Sequence, residues 1–184
     1  MLRLCLDLNI WIAALLADRK GRSNTASQYL IEVIRGGNDT CGEASLIISL
    51  GMLDKLQSVI VEQLKLSVEI ASTYVSTVEE YAKLGAQLTL GGTGVIGLRD
   101  IEDAHVLETA IAGQADFLVT ANFKDFVVNR DTKIEIPERY AIYYSSAHNV
   151  QIVHPYLMVE WLRSGNVPKI SNTNWDRLDR TSRD

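Results

Sequence analysis

The stretch from Arg99 to Phe126, RDIEDAHVLETAIAGQADFLVTANFKDF, constrains the fold of this chain more than any other. It runs from an acidic cluster through a short amphipathic helix into an apolar strand and a polar turn. From Asp103 the residues Val106, Leu107, Ala110 and Ile111 recur at helical spacing and make one apolar face. Gly113 is a stop signal. Phe117–Thr120, FLVT, is short and wholly apolar up to its threonine, as a strand buried on both faces of a parallel sheet would be. Asp103 lies four residues before Leu107, at the edge of the apolar stripe. The positive end of the helix favours Asp100, Glu102 and Asp103 as anions. Taken alone, the acids read as a cap, with Asp100 as N-cap and Asp103 three residues on.

The rest of the chain supplies further pieces of the same kind. MLRLCLDL reads as a first strand over Met1–Leu8, and IWIAALLA as a helix over Ile10–Ala17. Thr25–Arg35 is a second helix with Tyr29, Leu30, Val33 and Ile34 on one face, closed by Gly36 and Gly37. SLIIS is a strand over Ser45–Ser49, followed by helices over Met52–Leu66 and Glu69–Leu84. Gln87–Leu90 reads as a strand. GGTGVIG lacks the lysine and the glycine spacing of a phosphate cradle and reads as a turn. A polar connection leads to a strand at Gln151–Val153, and Pro155–Leu162 is a last helix with proline in its first turn. Strands alternating with helices predict a three-layer α/β/α domain with a mainly parallel central sheet, over residues 1–165, and a polar C-terminal tail over 166–184.

Such sheets bind ligands beyond the carboxyl ends of their strands. Asp7 and Asn9 follow the first strand, Asn122 and Asp125 follow FLVT, and Asp103 opens the helix before it. If the two strands are neighbours, these acids converge. Crowded carboxylates repel one another, and burial raises their pKa values, so the ionised cluster needs a cation. Oxygen donors select Mg²⁺ or Mn²⁺ over zinc. Such an ion activates water for attack on a phosphodiester and stabilises charge on its oxygens. His105, His148 and His154 are scattered and read as structural or solvated.

Composition narrows the classes. A net charge of −5 gives no global basic signature for nucleic acid, although it leaves room for a local basic rim. Cys5 lies in an apolar strand and Cys41 in a polar loop, which predicts free thiols and a cytoplasmic setting. No apolar run is long enough to span a bilayer, so no membrane role is expected.

DLNIWIAALL resembles the opening Asp-x-Asn motif of the PIN domain, the fold of many VapC-type toxin ribonucleases. DAHVLETAIAGQADFLVTANFKDF resembles the later signature of that family, an acid-headed helix and a strand running into T-x-N-x-x-D-F. The resemblance covers roughly residues 2–162. It implies that Asp7, Asp103 and Asp125 are catalytic and hold Mg²⁺ or Mn²⁺, with Asn9, Thr120 and Asn122 in support and Asp100 and Glu102 as auxiliaries. The family pattern S-x-x-L-L-x-E-L matches SLGMLDKL, which puts Lys55 at the glutamate position. Asp54 is adjacent, but one residue turns a helical side chain by about 100°.

The resemblance therefore implies a metal-dependent endoribonuclease, the toxin of a toxin–antitoxin pair. Its substrate would be RNA, an antitoxin protein its partner and a homodimer its assembly. The alternatives are a PIN-fold binding module with a degenerate metal site, and a different metal-dependent phosphohydrolase.

Overall fold

The computed structural model describes residues 1–36, 38–39, 42–85, 101–127 and 131–169. Strand β1 (Leu2–Leu6) leads directly into helix α1 (Leu8–Arg19), followed by α2 (Ala26–Gly36), β2 (Asn38–Asp39) and β3 (Gly42–Ile47). Helix α3 (Leu50–Ser58) runs on into a π-helical turn over Val59–Gln63, and α4 (Val68–Gly85) follows. Then come α5 (Ile101–Ala112), β4 (Phe117–Val119), the single-turn α6 (Phe123–Phe126), β5 (Thr132–Ile136), β6 (Tyr140–Tyr143), β7 (Val150–Val153) and α7 (Pro155–Ser164).

Among the described residues the strands form one sheet in the order β2-β3-β1-β4-β7-β6-β5. The central four, β3, β1, β4 and β7, are parallel to one another, as the apolar runs predict. Successive side chains of a strand point to opposite faces. Leu4, Cys5 and Leu6 are all 0% exposed, so both faces of β1 are covered and the architecture is the expected three-layer α/β/α. Helices α2 and α4 pack on β3, and α5 packs on β1 and β4. Cys5 is a free thiol in this core, and Cys41 lies outside the described residues.

The chain leaves β1 toward β3 on one side, and leaves β4 toward β7 on the other. The strand order thus reverses between β1 and β4, which opens a crevice at their carboxyl ends. One backbone bond ties these ends together, Asp7 N–H donating to the Val119 carbonyl at 3.0 Å, and a second ties the end of β4 to β7, Thr120 N–H donating to the Val153 carbonyl at 3.0 Å.

The sheet departs from the sequence reading at its far edge. The segment read as a polar connection forms the antiparallel hairpin β5–β6, which adds to β7. TKIEI alternates polar and apolar residues, and Pro137 follows at the turn; the many charges masked that period-2 signal. Leu50–Gln63 is helical as expected, but its end is widened, with Leu64 N–H donating five residues back to Val59 at 3.1 Å. The strand read at Gln87–Leu90, the glycine-rich turn, Asp100 and residues 170–184 of the tail lie outside the described residues.

Candidate active site

Asp7 is placed by strand and helix together. It ends β1 in extended geometry (φ −61°, ψ 154°) and serves as the N-cap residue of α1. It is 6% exposed, the only carboxylate besides Glu108 among the described buried side chains. Its Oδ2 accepts from Thr120 Oγ1 at 2.6 Å and from Asn9 Nδ2 at 2.5 Å. The Asn9 amide is oriented without ambiguity: its NH₂ faces the carboxylate, and its oxygen accepts from Ala121 N–H at 3.2 Å. Thr120, 0% exposed, also accepts from Asn122 N–H at 2.9 Å and from Asn9 Nδ2 at 3.2 Å. Asp7, Asn9, Thr120 and the backbone of Ala121 and Asn122 therefore form one network across the ends of β1 and β4.

The electrostatics follow from burial. Desolvation pushes the Asp7 carboxyl above its ordinary 3.8, while the Thr120 hydroxyl, the Leu8 and Asn9 backbone N–H groups and the Asn9 amide pull it back. An ionised Asp7 is thus solvated by fixed donors, and by little water.

A cleft of about 670 Å³ opens over this network between α1, α3 and α5. Asp7, Asn9, Asp103 and Asn122 line it, so the structure brings these four together. Asp103 falls in the first turn of α5 and is half-buried. Thr120 stands behind Asp7. Asp125 sits in α6, exposed, and does not line the cleft. Asp100 lies outside the described residues, and so does the cap reading that joins it to Asp103. Among the described residues no three His, Cys, Asp or Glu side chains gather as a metal-holding cluster.

The opposite wall carries residues that the sequence reading placed elsewhere or left uncertain. Lys55 lines the cleft, whereas Asp54 and Glu43 are exposed and do not. Val59 and Gln63 continue that wall. Four-residue steps in an α-helix drift by about 40° each; the wider π turn takes back that drift and keeps Gln63 beside Lys55. His105, read as structural or solvated, also lines the cleft, with its ring packed on Gly51 of α3. A Cβ on Gly51 would lie 2.6 Å from His105 Cε1, so the imidazole occupies the space a side chain at this position would need. Beneath this contact the buried Ser49 and Thr109 hydroxyls lie 3.1 Å apart, and Ser49 Oγ caps α3 by accepting from Met52 N–H at 3.3 Å. A small residue on one helix facing a histidine on another leaves no periodic signal in a single sequence.

The buried Asp7 carboxylate and its network lie at the strand-order reversal, where parallel α/β sheets bind ligands. The profile of the PIN domain family matches residues 3–124, more than half of the chain, and the chain belongs to that family. No curated protein and no solved structure matches it.

The residues present fit a hard divalent ion. Asp7 and Asp103 offer carboxylate oxygens, beside Lys55 and His105 of the same cleft, and one or two carboxylates, completed by water and substrate phosphates, are the usual holding set for Mg²⁺. A cation beside Asp7 would also remove the burial penalty on its ionised form. Asp7 and Asp103 are the two that would hold it.

Proposed function

We propose that this protein is a metal-dependent endoribonuclease that cleaves single-stranded RNA within the Asp7–Asp103 cleft. The observation that carries this reading is the buried Asp7 carboxylate, held by Thr120 and Asn9 at the mouth of a cleft that also receives Asp103. Mg²⁺ or Mn²⁺ bound there supplies Lewis-acid stabilisation of the phosphoryl oxygens and lowers the pKa of water. The protein's own contribution is positional. Thr120 and Asn9 fix the Asp7 carboxylate, so that one oxygen is committed to the network and the carboxyl plane cannot rotate. Asp103 enters from α5 as a second acceptor. Asn122, exposed and lining the cleft, would meet substrate there. Asp125 is proposed as an outer acid, reached by substrate or water rather than by the cleft itself.

The family includes toxin ribonucleases, and the same reading makes this chain a toxin with an antitoxin protein as partner, acting in the cytoplasm as a homodimer. Among the described residues no helix is long and apolar enough to cross a membrane.

One observation favours a second reading. Lys55 lines the cleft on the wall opposite Asp7, at the family's glutamate position. An ammonium there competes with a divalent ion for the carboxylates, which favours a PIN-fold RNA-binding module with a weak metal site. Cleavage of a labelled single-stranded RNA with Mg²⁺, with Mn²⁺ and with chelator separates the two. Metal-dependent cleavage lost in Asp7→Asn supports the nuclease; binding without cleavage under every metal supports the module.

A further inference from the structure

The sheet edge that presents Asp7 and Thr120 does not end with them. The next parallel strand, β7, finishes at His154, which caps α7. Beside it a groove of about 380 Å³ runs between α1, the α1–α2 loop and the start of α7. It uses Ala13, Leu16 and Ala17 of α1 and the C-cap residue Lys20, a face neighbouring the Leu8, Asn9 and Ile12 face that borders the cleft. Ala121 lines the groove, and its N–H bonds Asn9, whose amide bonds Asp7. Two hydrogen bonds therefore separate the groove from the buried carboxylate.

The charge of this groove runs against that of the chain. The protein carries −5 overall, yet the groove is lined by Lys20 and Arg22 and by no carboxylate. Both cations are exposed, and neither makes an ion pair among the described residues. The positive charge of Arg139 reaches His154, which burial and that charge together hold below the ordinary histidine value. Tyr156, in the first turn of α7, is 68% exposed, with its ring 5.3 Å from that of His154 at an interplanar angle of 33°. A large aromatic ring left in solvent beside free cations is the composition of a single-strand platform, where bases stack and phosphates are neutralised.

We infer that this groove is a single-stranded RNA subsite continuous with the cleft: Lys20 and Arg22 hold backbone phosphates, and Tyr156, backed by His154, stacks one base. The inference rests on the ribonuclease reading of the cleft. It also meets a need of that reading. Asp7 and Asp103 repel an incoming phosphate backbone, and an acidic protein must hold the strand with local cations beside the acids.

The test is fluorescence anisotropy with a labelled, 2′-O-methylated single-stranded RNA that cannot be cleaved, in chelator, over a salt series. Lys20→Ala/Arg22→Ala should weaken binding and flatten the slope of log affinity against log salt by about 0.7 per cation removed. Tyr156→Ala should weaken it by roughly 5- to 150-fold, and Tyr156→Phe should restore it. Circular dichroism confirms the fold of each exposed-residue variant. Wild-type affinity and slope in the charge and Tyr156→Ala variants would overturn the inference, as would displacement of the RNA by polyglutamate at equal charge concentration. Cleavage measured in parallel separates the two claims. If Asp7→Asn abolishes cleavage while the groove variants bind as wild type, the groove assignment fails and the nuclease stands. If the groove variants lose affinity while Asp7→Asn cleaves normally, the groove stands and the nuclease reading of the cleft fails.

Discussion

Thr120→Val probes the network at its centre. Thr120 is 0% exposed, and its hydroxyl donates to the Asp7 carboxylate at 2.6 Å while accepting from Asn122 N–H at 2.9 Å. Valine preserves the shape and removes all of this. The bond to an ionised carboxylate is worth about 1.5–3 kcal/mol. Asn122 is exposed, so water can take over its N–H, and the added methyl returns a fraction. The expected net cost is about 2 kcal/mol at pH 7.5 in chelator, which lowers the urea midpoint by about 1 M without changing the slope. Thr120→Ser keeps the hydroxyl and removes one buried methyl, at about 1 kcal/mol. The two variants also differ in pH dependence. Burial raises the folded-state pKa of Asp7, so its contribution is fully present below the unfolded value of 3.8 and is lost as pH rises through the folded value. Removing the Thr120 donor raises that folded value further. The gap between wild type and Thr120→Val is therefore smallest in acid and widens as Asp7 ionises, whereas the Thr120→Ser gap stays flat. Equilibrium urea unfolding followed by the fluorescence of the buried Trp11 reads both. A Thr120→Val cost below that of Thr120→Ser, or one independent of pH, would refute the reasoning.

Two further outcomes follow from the same geometry, and a third from the family resemblance. Asp7→Asn removes a buried charge, so in chelator at pH 7.5 it should be as stable as wild type or more so, by about 1 kcal/mol; any gain should vanish as pH falls toward 3.8, and a loss above 1 kcal/mol would contradict the burial argument. Lys55→Glu should tighten Mn²⁺ binding by calorimetric titration, since it replaces a cation with an acid in the cleft; tight wild-type binding with a neutral Lys55→Glu would show that Lys55 does not compete with the metal. Light scattering at micromolar concentration should give a homodimer, and a monomer would reject that assembly.

Much of this arrangement was legible in the residues because it is carried by local pattern. FLV and LCL are short apolar runs that suit strands covered on both faces, and they do pair side by side. That pairing is what brings Asp7 and Thr120 together across 113 residues of chain, and the T-x-N turn follows at the same edge. Asp125 shows the limit of the same logic. A sequence offset of three from Asn122 does not say which way a four-residue helix aims its side chain, and Asp125 is exposed rather than in the cleft. Tertiary approach left no trace at all: the Gly51–His105 contact and the π turn that aligns Gln63 depend on how two helices meet, not on either alone. Strand β5 was hidden for a different reason, because an edge strand exposed on both faces carries no buried stripe.

The central claim is that Asp7 and Asp103 act together on RNA through a divalent ion. The direct measurement is cleavage of a labelled single-stranded RNA by the wild type, Asp7→Asn and Asp103→Asn, each with Mn²⁺ and with chelator, on protein whose fold is verified by circular dichroism. The account predicts cleavage by the wild type with Mn²⁺ only, and a loss of at least about a hundredfold in either variant, consistent with removal of about 2.7 kcal/mol or more of transition-state stabilisation. Cleavage that persists in chelator, or that both variants retain at the wild-type rate, would contradict it.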